Sequence, residues 1–348
     1  SHGTNCIFCK VGDDLLAKYT EAKSLTPGGS PQSSKNRATL ILSPGLHKIT
    51  APFTVATDYV DVISLGSSAH APTATIEGAK IVIQAVDIVF EGVRGEIYTE
   101  GKATPTPQQR VVNCVTTAAS RGFGPEAGVL DQYASGTFTG CTGGTFAFGG
   151  STGTASGIFT NCIGGNGSFA GSGGTASGTF TNCVGGISSF GGAAGTASGT
   201  FTNCVGGESA FGGTGGTASG TFTNCIGGRF AFGFGGTLSG KAYECRVTGG
   251  TFGAVTAPGM TRNCINADGT IDNQGGYYGT DVSTPPTAGQ AWVWDDAAKR
   301  WKPGTIESGF LCSDGSTKKS LNDVAPLLQL FAGCAADQPI KPDGTTAV

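Results

Sequence analysis

A 21-residue repeat is the feature that most constrains the fold of this chain. Residues 154–174 read TASGIFTNCIGGNGSFAGSGG, residues 175–195 read TASGTFTNCVGGISSFGGAAG, and residues 196–216 read TASGTFTNCVGGESAFGGTGG. A further copy begins at residue 217, and an earlier one covers residues 134–150. This period is too short for a helical-hairpin repeat, which needs about 33 residues or more. It divides into three arms of about seven residues, each a short strand and a turn, which predicts one coil of a parallel β-helix.

Residues that recur once per coil should form ladders, because stacked coils lie about 4.8 Å apart. The ladders are Cys141, Cys162, Cys183, Cys204 and Cys225; Phe138, Phe159, Phe180, Phe201 and Phe222; Phe148, Phe169, Phe190, Phe211 and Phe232; and Asn161, Asn182, Asn203 and Asn224. In the segment TFT we expect phenylalanine inward and threonine outward, because side chains alternate along a strand. Asparagine falls at a bend, since it tolerates a left-handed conformation and stacked amides can bond along the ladder. That bend resets the alternation, so the direction of the cysteine ladder stays open.

The fold class follows from this pattern as an all-β protein, a single-stranded right-handed parallel β-helix with 21-residue coils. Residues 1–36 are expected to form an N-terminal capping segment with a short helix. Residues 37–275 would form the β-helix, with regular coils over about 134–245. Residues 276–348 would form a small C-terminal domain for capping, oligomerisation or attachment.

The N-terminal segment carries two local motifs. Residues 13–24 predict a short amphipathic helix with Asp13 or Asp14 as its N-cap, and this helix would cover the open end of the coil stack. Cys6 and Cys9 form a CxxC pair. A redox function needs a thioredoxin-like context and a zinc site needs a second ligand pair, and neither is present. An incidental pair or a local disulfide is therefore expected.

Charge is scarce, which excludes several classes of partner. Charged residues make up 13% of the chain, the formal net charge is −3, and the stretch from Cys141 to Gly240 contains one acid, Glu208, and one base, Arg229. Nothing in this balance favours binding to nucleic acid or to an anionic membrane. No apolar run approaches the length of a membrane span, so membrane insertion is not expected. We also expect no cofactor and no metal, and no signal peptide is visible.

Twelve cysteines would suggest disulfides in a small secreted protein. Here at least five belong to the repeat, where stacked cysteine packs as a small apolar residue. We therefore expect free thiols in a ladder. The alternative is that some cysteines are paired, with Cys312 and Cys334 as one candidate pair.

Two stretches resemble known proteins. The segment NRATLILSPGLHKI followed by FTVATDYVDVISLGS resembles the N-terminal start of pectate-lyase-like β-helices in bacteriophage tailspike and tail-fibre proteins, with His47 where those proteins usually have an aromatic residue. The segment GQAWVWDDAAKRWKPG, expected to form a hairpin with its turn at residues 295–299, is similar to a short module of phage tail proteins. The resemblance implies a virion protein of the phage tail, made in the host cytoplasm and assembled as a homotrimer.

Tailspike β-helices often cleave polysaccharide with two carboxylates about 5–10 Å apart. The regular coils offer no such pair. Weak catalytic candidates lie in the irregular coils, namely Glu96, Glu100, Glu126 and Asp131, and most such acids are solvated surface groups. His47 and His70 are isolated, and both are expected at the surface or in loops.

One position of the coil varies and is the candidate binding column: Thr145, Asn166, Ile187, Glu208 and Arg229. A position free of the ladder constraint should be exposed, either drifting neutrally or facing a partner, and Glu208 and Arg229 could form a local pair. The Thr-x-Thr rows offer another possibility, because regular outward threonines resemble the faces of some ice-binding proteins. Their presence could equally reflect the strand propensity of threonine.

These observations favour a non-enzymatic phage tail appendage that acts in host attachment or as a structural shaft, with a host cell-surface glycan or protein as its receptor. The first alternative is a polysaccharide depolymerase, a glycosidase or lyase of tailspike type. The second is an ice-binding β-helix that uses the Thr-x-Thr face.

Overall fold

The computed structural model divides into two compact units, residues 1–275 and 276–348. It describes residues 5–100, 105–119, 121–124, 133–256 and 259–274, together with short strands between residues 290 and 319. The first unit is an all-β parallel solenoid of about ten turns with about 21 residues per turn, which confirms the predicted fold class. Its right hand stays a prediction.

The largest sheet, called here the threonine sheet, has twelve parallel strands stacked in chain order. They are Cys6–Cys9, Ala38–Leu42, Val60–Ser64, Ile88–Glu91, Gln109–Val112, Thr137–Thr139, Ile158–Thr160, Thr179–Thr181, Thr200–Thr202, Thr221–Thr223, Lys241–Tyr243 and Met260–Arg262. The first of these strands contains the CxxC pair, and the sequence did not predict it. Equivalent residues of neighbouring coils pair in register, as Phe180 does with Phe201 and Phe201 with Phe222.

The other sides of the coil form shorter sheets. One holds Tyr133–Ala134, Thr154–Ala155, Thr175–Ala176, Thr196–Ala197, Thr217–Ala218 and Thr237–Leu238; a second holds Phe53–Val55, Ile81–Ile83 and Ile97–Thr99. The third side begins with Gly45–Lys48, Ala74–Glu77, Val93–Gly95 and Val115–Thr116 and ends with Ile226–Arg229, Arg246–Gly249, Cys264–Ile265 and the antiparallel Ile271–Asp272. Between these two groups it continues through single bridges at Thr142, Ile163, Val184 and Val205.

The predicted capping helix is Leu15–Lys23, followed by a short 3₁₀ turn at Pro27–Gly29. Asp14 is its N-cap, and its carboxylate accepts hydrogen bonds from the amides of Leu16 and Ala17 at 3.0 and 3.1 Å. Leu15, Tyr19 and Ala22 are buried, and the Tyr19 ring meets Phe53 edge-on at 5.2 Å. The helix therefore packs on the interior of the first coils through its apolar face.

Two phenylalanine columns fill the regular coils. Within each column the rings stack nearly parallel, as at Phe180–Phe201, where the centroids lie 4.8 Å apart. Between the columns the rings meet edge-on, as at Phe201–Phe211 with centroids 5.6 Å apart. Phe123 extends the second column below Phe148, as the sequence suggested.

The second phenylalanine column sits at a turn with a left-handed backbone. At Phe211, for example, φ is 53°. This conformation costs an L-residue about 1–2 kcal/mol. The ring of Phe211 is fully buried, and its burial offsets that strain.

The structure settles the direction of the cysteine ladder. The thiols of Cys114, Cys141, Cys162, Cys183, Cys204, Cys225, Cys245 and Cys264 are all free and buried. Most donate to a carbonyl of the coil below, as Cys204 Sγ does to Phe180 O at 3.4 Å. Burial raises the pKa of the Cys183 thiol well above its ordinary value and that of Cys114 to about 12. Cys6 and Cys9 are also free, whereas Cys312 and Cys334 lie outside the described residues.

In the second unit, Gln290–Asp295 pairs antiparallel with Arg300–Thr305, and Phe310–Leu311 pairs with Lys318–Lys319. The first pair confirms the predicted hairpin, since Asp295 lies opposite Arg300. No helix in the described part of the chain has the length and apolar character of a membrane span.

Candidate functional site

The threonine sheet presents two outward columns over the regular coils. The first is Thr137, Ile158, Thr179, Thr200 and Thr221; the second is Thr139, Thr160, Thr181, Thr202 and Thr223. Hydroxyls in one column repeat at about 4.8 Å, and the two columns lie about 6.6 Å apart. Thr137 donates to the carbonyl of Pro107 at 2.9 Å, and no hydrogen bond links the other eight threonine hydroxyls to another described residue. The sheet thus offers a regular array of free hydroxyls to solvent.

An asparagine column borders this array at the bend. Each of its four residues has φ between 51° and 53° and is exposed, as predicted. The Asn182 amide donates to Asn161 Oδ1 at 3.1 Å, and the Asn203 amide donates to Asn182 Oδ1 at the same distance. Because these amides bond to one another, the bend keeps the same shape in successive coils and the threonine columns remain aligned.

The candidate binding column lies on the third side of the coil, and all five of its residues are exposed. The Asn166 side chain is fixed, because its Oδ1 accepts the Ile187 amide at 2.9 Å. The Arg229 guanidinium lies 4.2 Å from the centre of the Phe230 ring. The suggested Glu208–Arg229 pair does not form, since the ion pairs of the described residues lie elsewhere.

Two of the four weak catalytic candidates lie in the described part of the chain. Glu96 accepts a hydrogen bond from the Tyr98 hydroxyl at 2.8 Å, and Glu100 accepts one from Gln84 at 2.7 Å. The two acids flank the strand Ile97–Thr99, and both are exposed. Each carboxylate is thus held by a neutral neighbour at the surface. Glu126 and Asp131 lie outside the described residues.

The prediction for His47 was wrong. Its ring is buried with 1% exposed, and it contacts the Ser43 carbonyl through Nε2 at 2.9 Å and approaches Cys9 Sγ through Nδ1 at 3.9 Å. Since burial raises the Cys9 pKa to about 11, this thiol stays protonated at neutral pH and is no nucleophile. His70 does lie in a loop, where its Nδ1 is 2.9 Å from Thr142 Oγ1 and ties that loop to the regular coils.

Sequence reasoning missed a charged cluster that joins the first coils. The Arg37 guanidinium contacts both oxygens of the Asp61 carboxylate at 2.6 and 2.8 Å and reaches Asp87 at 2.7 Å. Three coils near the N-terminal end of the stack are thus tied together. The sequence shows an arginine directly before a buried strand, which suggests a charged partner nearby. Its partners could not be identified, because they lie 24 and 50 residues away along the chain. Within the ranges that the structure describes, no three His, Cys, Asp or Glu side chains gather as a metal site would require.

An outward apolar column was also missed. After the asparagine bend the cysteine points inward, so the next residue points outward, which places Ile163, Val184, Val205 and Ile226 at the surface with 38–42% of each exposed. The sequence could have predicted this column, because the residue after an inward cysteine points outward. That prediction required the direction of the cysteine ladder, which the sequence left open.

Comparison with known proteins does not assign the chain to a family. No family model matches the sequence, and no curated protein matches it. Among solved structures, the chain is similar to ORF18 of Geobacillus virus E2, with 11% identity and a TM-score of 0.33 over 76% of this chain. It spans 60% of the length of that protein. Similarity at this level does not carry a function from one protein to another.

Proposed function

We propose that the chain is a phage tail appendage whose coil stack serves as a non-catalytic shaft in host attachment. The observation that carries this proposal is the regular coil stack itself, which is rigid, registered and almost free of charge. Catalysis of hydrolysis or elimination needs positioned ionisable groups, and rigid elements position them best. The rigid coils hold only Glu208 and Arg229, which do not contact each other.

One feature supports the phage assignment. The segment that resembles tailspike and tail-fibre proteins lies near the start of the stack, in parallel coils tied by Arg37. The proposal includes assembly as a homotrimer, because an uncharged β-surface of this size favours association. It also includes a place in the virion after synthesis in the host cytoplasm, with a host surface glycan or protein as receptor.

The test is to measure binding and chain cleavage on the same material. Capsular polysaccharide and lipopolysaccharide from a panel of bacteria are incubated with the protein. The proposal expects retention on the cells or glycans of at least one strain, with the chain length of the polysaccharide unchanged. Release of reducing ends or unsaturated products would favour the depolymerase alternative. Glu96→Gln and Glu100→Gln, beside Glu126→Gln and Asp131→Asn, would then show which acid is responsible.

A second candidate function is binding to ice, favoured by one observation: eight threonine hydroxyls are free and regularly spaced on a rigid sheet. Ice presents oxygens in a repeating lattice, so a preordered hydroxyl array can match many of them at once. Thermal hysteresis of the purified protein tests this. Thr202→Tyr should abolish an effect that the control Thr214→Tyr, at an exposed turn of the same coil, retains. A wild-type protein without thermal hysteresis rules this function out.

A further inference from the structure

The third side of the regular coils carries a ridge beside a trough. The ridge is the outward apolar column Ile163, Val184, Val205 and Ile226, four β-branched side chains on consecutive coils. Exposed β-branched side chains in a row are unfavourable in water, whereas single scattered ones would need no explanation. A continuous row of this kind is a candidate interaction surface.

The trough runs alongside and is made of glycine pairs, Gly164–Gly165, Gly185–Gly186, Gly206–Gly207 and Gly227–Gly228. A Cβ on Gly185 would meet the Phe190 ring at 2.9 Å, so the first glycine of a pair faces the core. A Cβ on Gly207 would lie 2.8 Å from the backbone carbon of Gly186 in the coil below. No side chain fits at either position, so the glycine pairs themselves present only backbone, and at Gly186 the Asn166 side chain lies against that backbone.

We propose that copies of this chain pack side by side and parallel through this side, with the ridge of one copy in the glycine trough of the next. The two features lie next to each other and repeat at the same coil spacing, so the surface is complementary to itself. A symmetry axis parallel to the stack brings ridge onto trough at equal heights. A two-fold axis across the stack would bring ridge onto ridge instead.

Charge agrees with this packing. The ridge belongs to a longer outward column of paired positions that runs from Leu46 to Ile265. Between its two arginines, Arg94 and Arg246, this column holds only Val115, Thr142 and the ridge residues. The four ridge residues can therefore enter the trough of a neighbouring copy without burying a charge, and a contact along the whole column would also include Arg94 and Arg246. The exposed candidate binding column lies at the rim of the contact, where its variation is tolerated.

The available area is that of a stable interface. The column has eleven rungs from Leu46 to Ile265. At about 4.8 Å per rung and with a side about 16 Å wide, such a surface covers about 800 Å² per partner, which is the size of a standard protein–protein interface. The four ridge residues alone would be too small, so the contact requires the coils to run alongside each other over their length.

This inference rests on the self-assembly included in the proposed function, and the experiment separates the two. Sedimentation equilibrium of the full chain at micromolar concentration should give a multiple of 34.7 kDa. The double variant Val184→Arg/Val205→Arg should fall to the monomer mass, while its far-ultraviolet circular dichroism spectrum shows that the coils remain folded. The matched control Thr179→Arg/Thr200→Arg changes the same two coils on the threonine sheet and should stay assembled.

The outcomes are distinct. A monomeric wild type overturns both the assembly and the interface. An assembled wild type whose ridge variant also stays assembled overturns the interface but keeps the assembly. Orientation is read from spin labels at Asn166→Cys and, separately, at Arg229→Cys, with the signal of the native thiols measured on the wild type. A third label at Thr145→Cys completes the set, because two sites alone could lie at equal heights above and below an axis across the stack. Equal label–label distances at all three sites support the parallel arrangement, and distances that change with the height of the label along the stack contradict it.

Discussion

Substitution of Phe201 by alanine should be among the most destabilising changes in the regular coils. Its ring is fully buried, stacks on Phe180 and Phe222 at 4.8 and 4.9 Å, and meets Phe190 and Phe211 edge-on at 5.9 and 5.6 Å. Removing about 150 Å² of buried apolar surface costs about 4 kcal/mol at about 25 cal/mol per Å². Core truncations of this kind cost about 3–5 kcal/mol, so the two estimates agree.

The assay is urea unfolding followed by far-ultraviolet circular dichroism, with thermal melts beside it. The matched control is Thr200→Ala, the neighbouring residue, whose side chain points to solvent and whose loss should change stability by about 0.5 kcal/mol or less. Because repeat proteins unfold by neighbour contacts, the loss should appear as early unfolding of the coils around residue 201. An unfolding midpoint equal to that of the Thr200→Ala variant would show that the ring column does not hold the coils together.

Four other changes test the same geometry. At Phe211, whose φ is positive, substitution by glycine should leave the protein about 1 kcal/mol more stable than substitution by alanine, whereas urea melts at Phe201 should show the reverse order. Asn203→Gly should be less destabilising in thermal melts than Asn203→Ala, because both lose the amide bonds but only alanine is strained at this positive φ. Deletion of residues 175–195 should leave a folded chain about 4.8 Å shorter by small-angle scattering, whereas deletion of residues 175–185 should disrupt the stack. The unfolded thiol of Cys114 ionises near pH 9 and the folded one near pH 12, so the folded state keeps its proton longer and stability should fall as pH rises across that window; urea melts of Cys114→Ala should show a shallower fall.

The repeat made most of the fold predictable. Identical residues at a fixed spacing stack on one another, so the ladders followed from the period. The inward Phe201 followed from the alternation of side chains along the TFT strand, and the left-handed Asn203 from the tolerance of asparagine for that conformation. The direction of the cysteines did not follow, because a bend of unknown angle separates them from the preceding strand. The outward apolar ridge depended on that direction and was missed with it.

The irregular coils were harder because their contacts are not repeated. His47 was expected at the surface, since an isolated histidine gives no sign of what covers it. The ring contacts the Ser43 carbonyl locally, but Cys9 approaches it only when the first strand joins the sheet. The Arg37 cluster likewise joins residues from three coils, and a single sequence does not show which acids lie above one another.

Because the regular coils are nearly identical, they can misalign with one another while the chain folds. A coil displaced by one full coil position meets the same two rings, thiol and asparagine as in its proper place, so no contact within the regular coils opposes the displacement. If the displacement occurred between two copies, coils of one copy would insert into the stack of the other, which is domain swapping. The coils at the two ends differ from the repeats and can fix the alignment of the stack. Leu40 and Phe90 are buried before the repeats, and Val247 and Phe252 are buried after them. We therefore expect the N-terminal coils to fold first during synthesis and to act as the template on which each later coil stacks in the correct position.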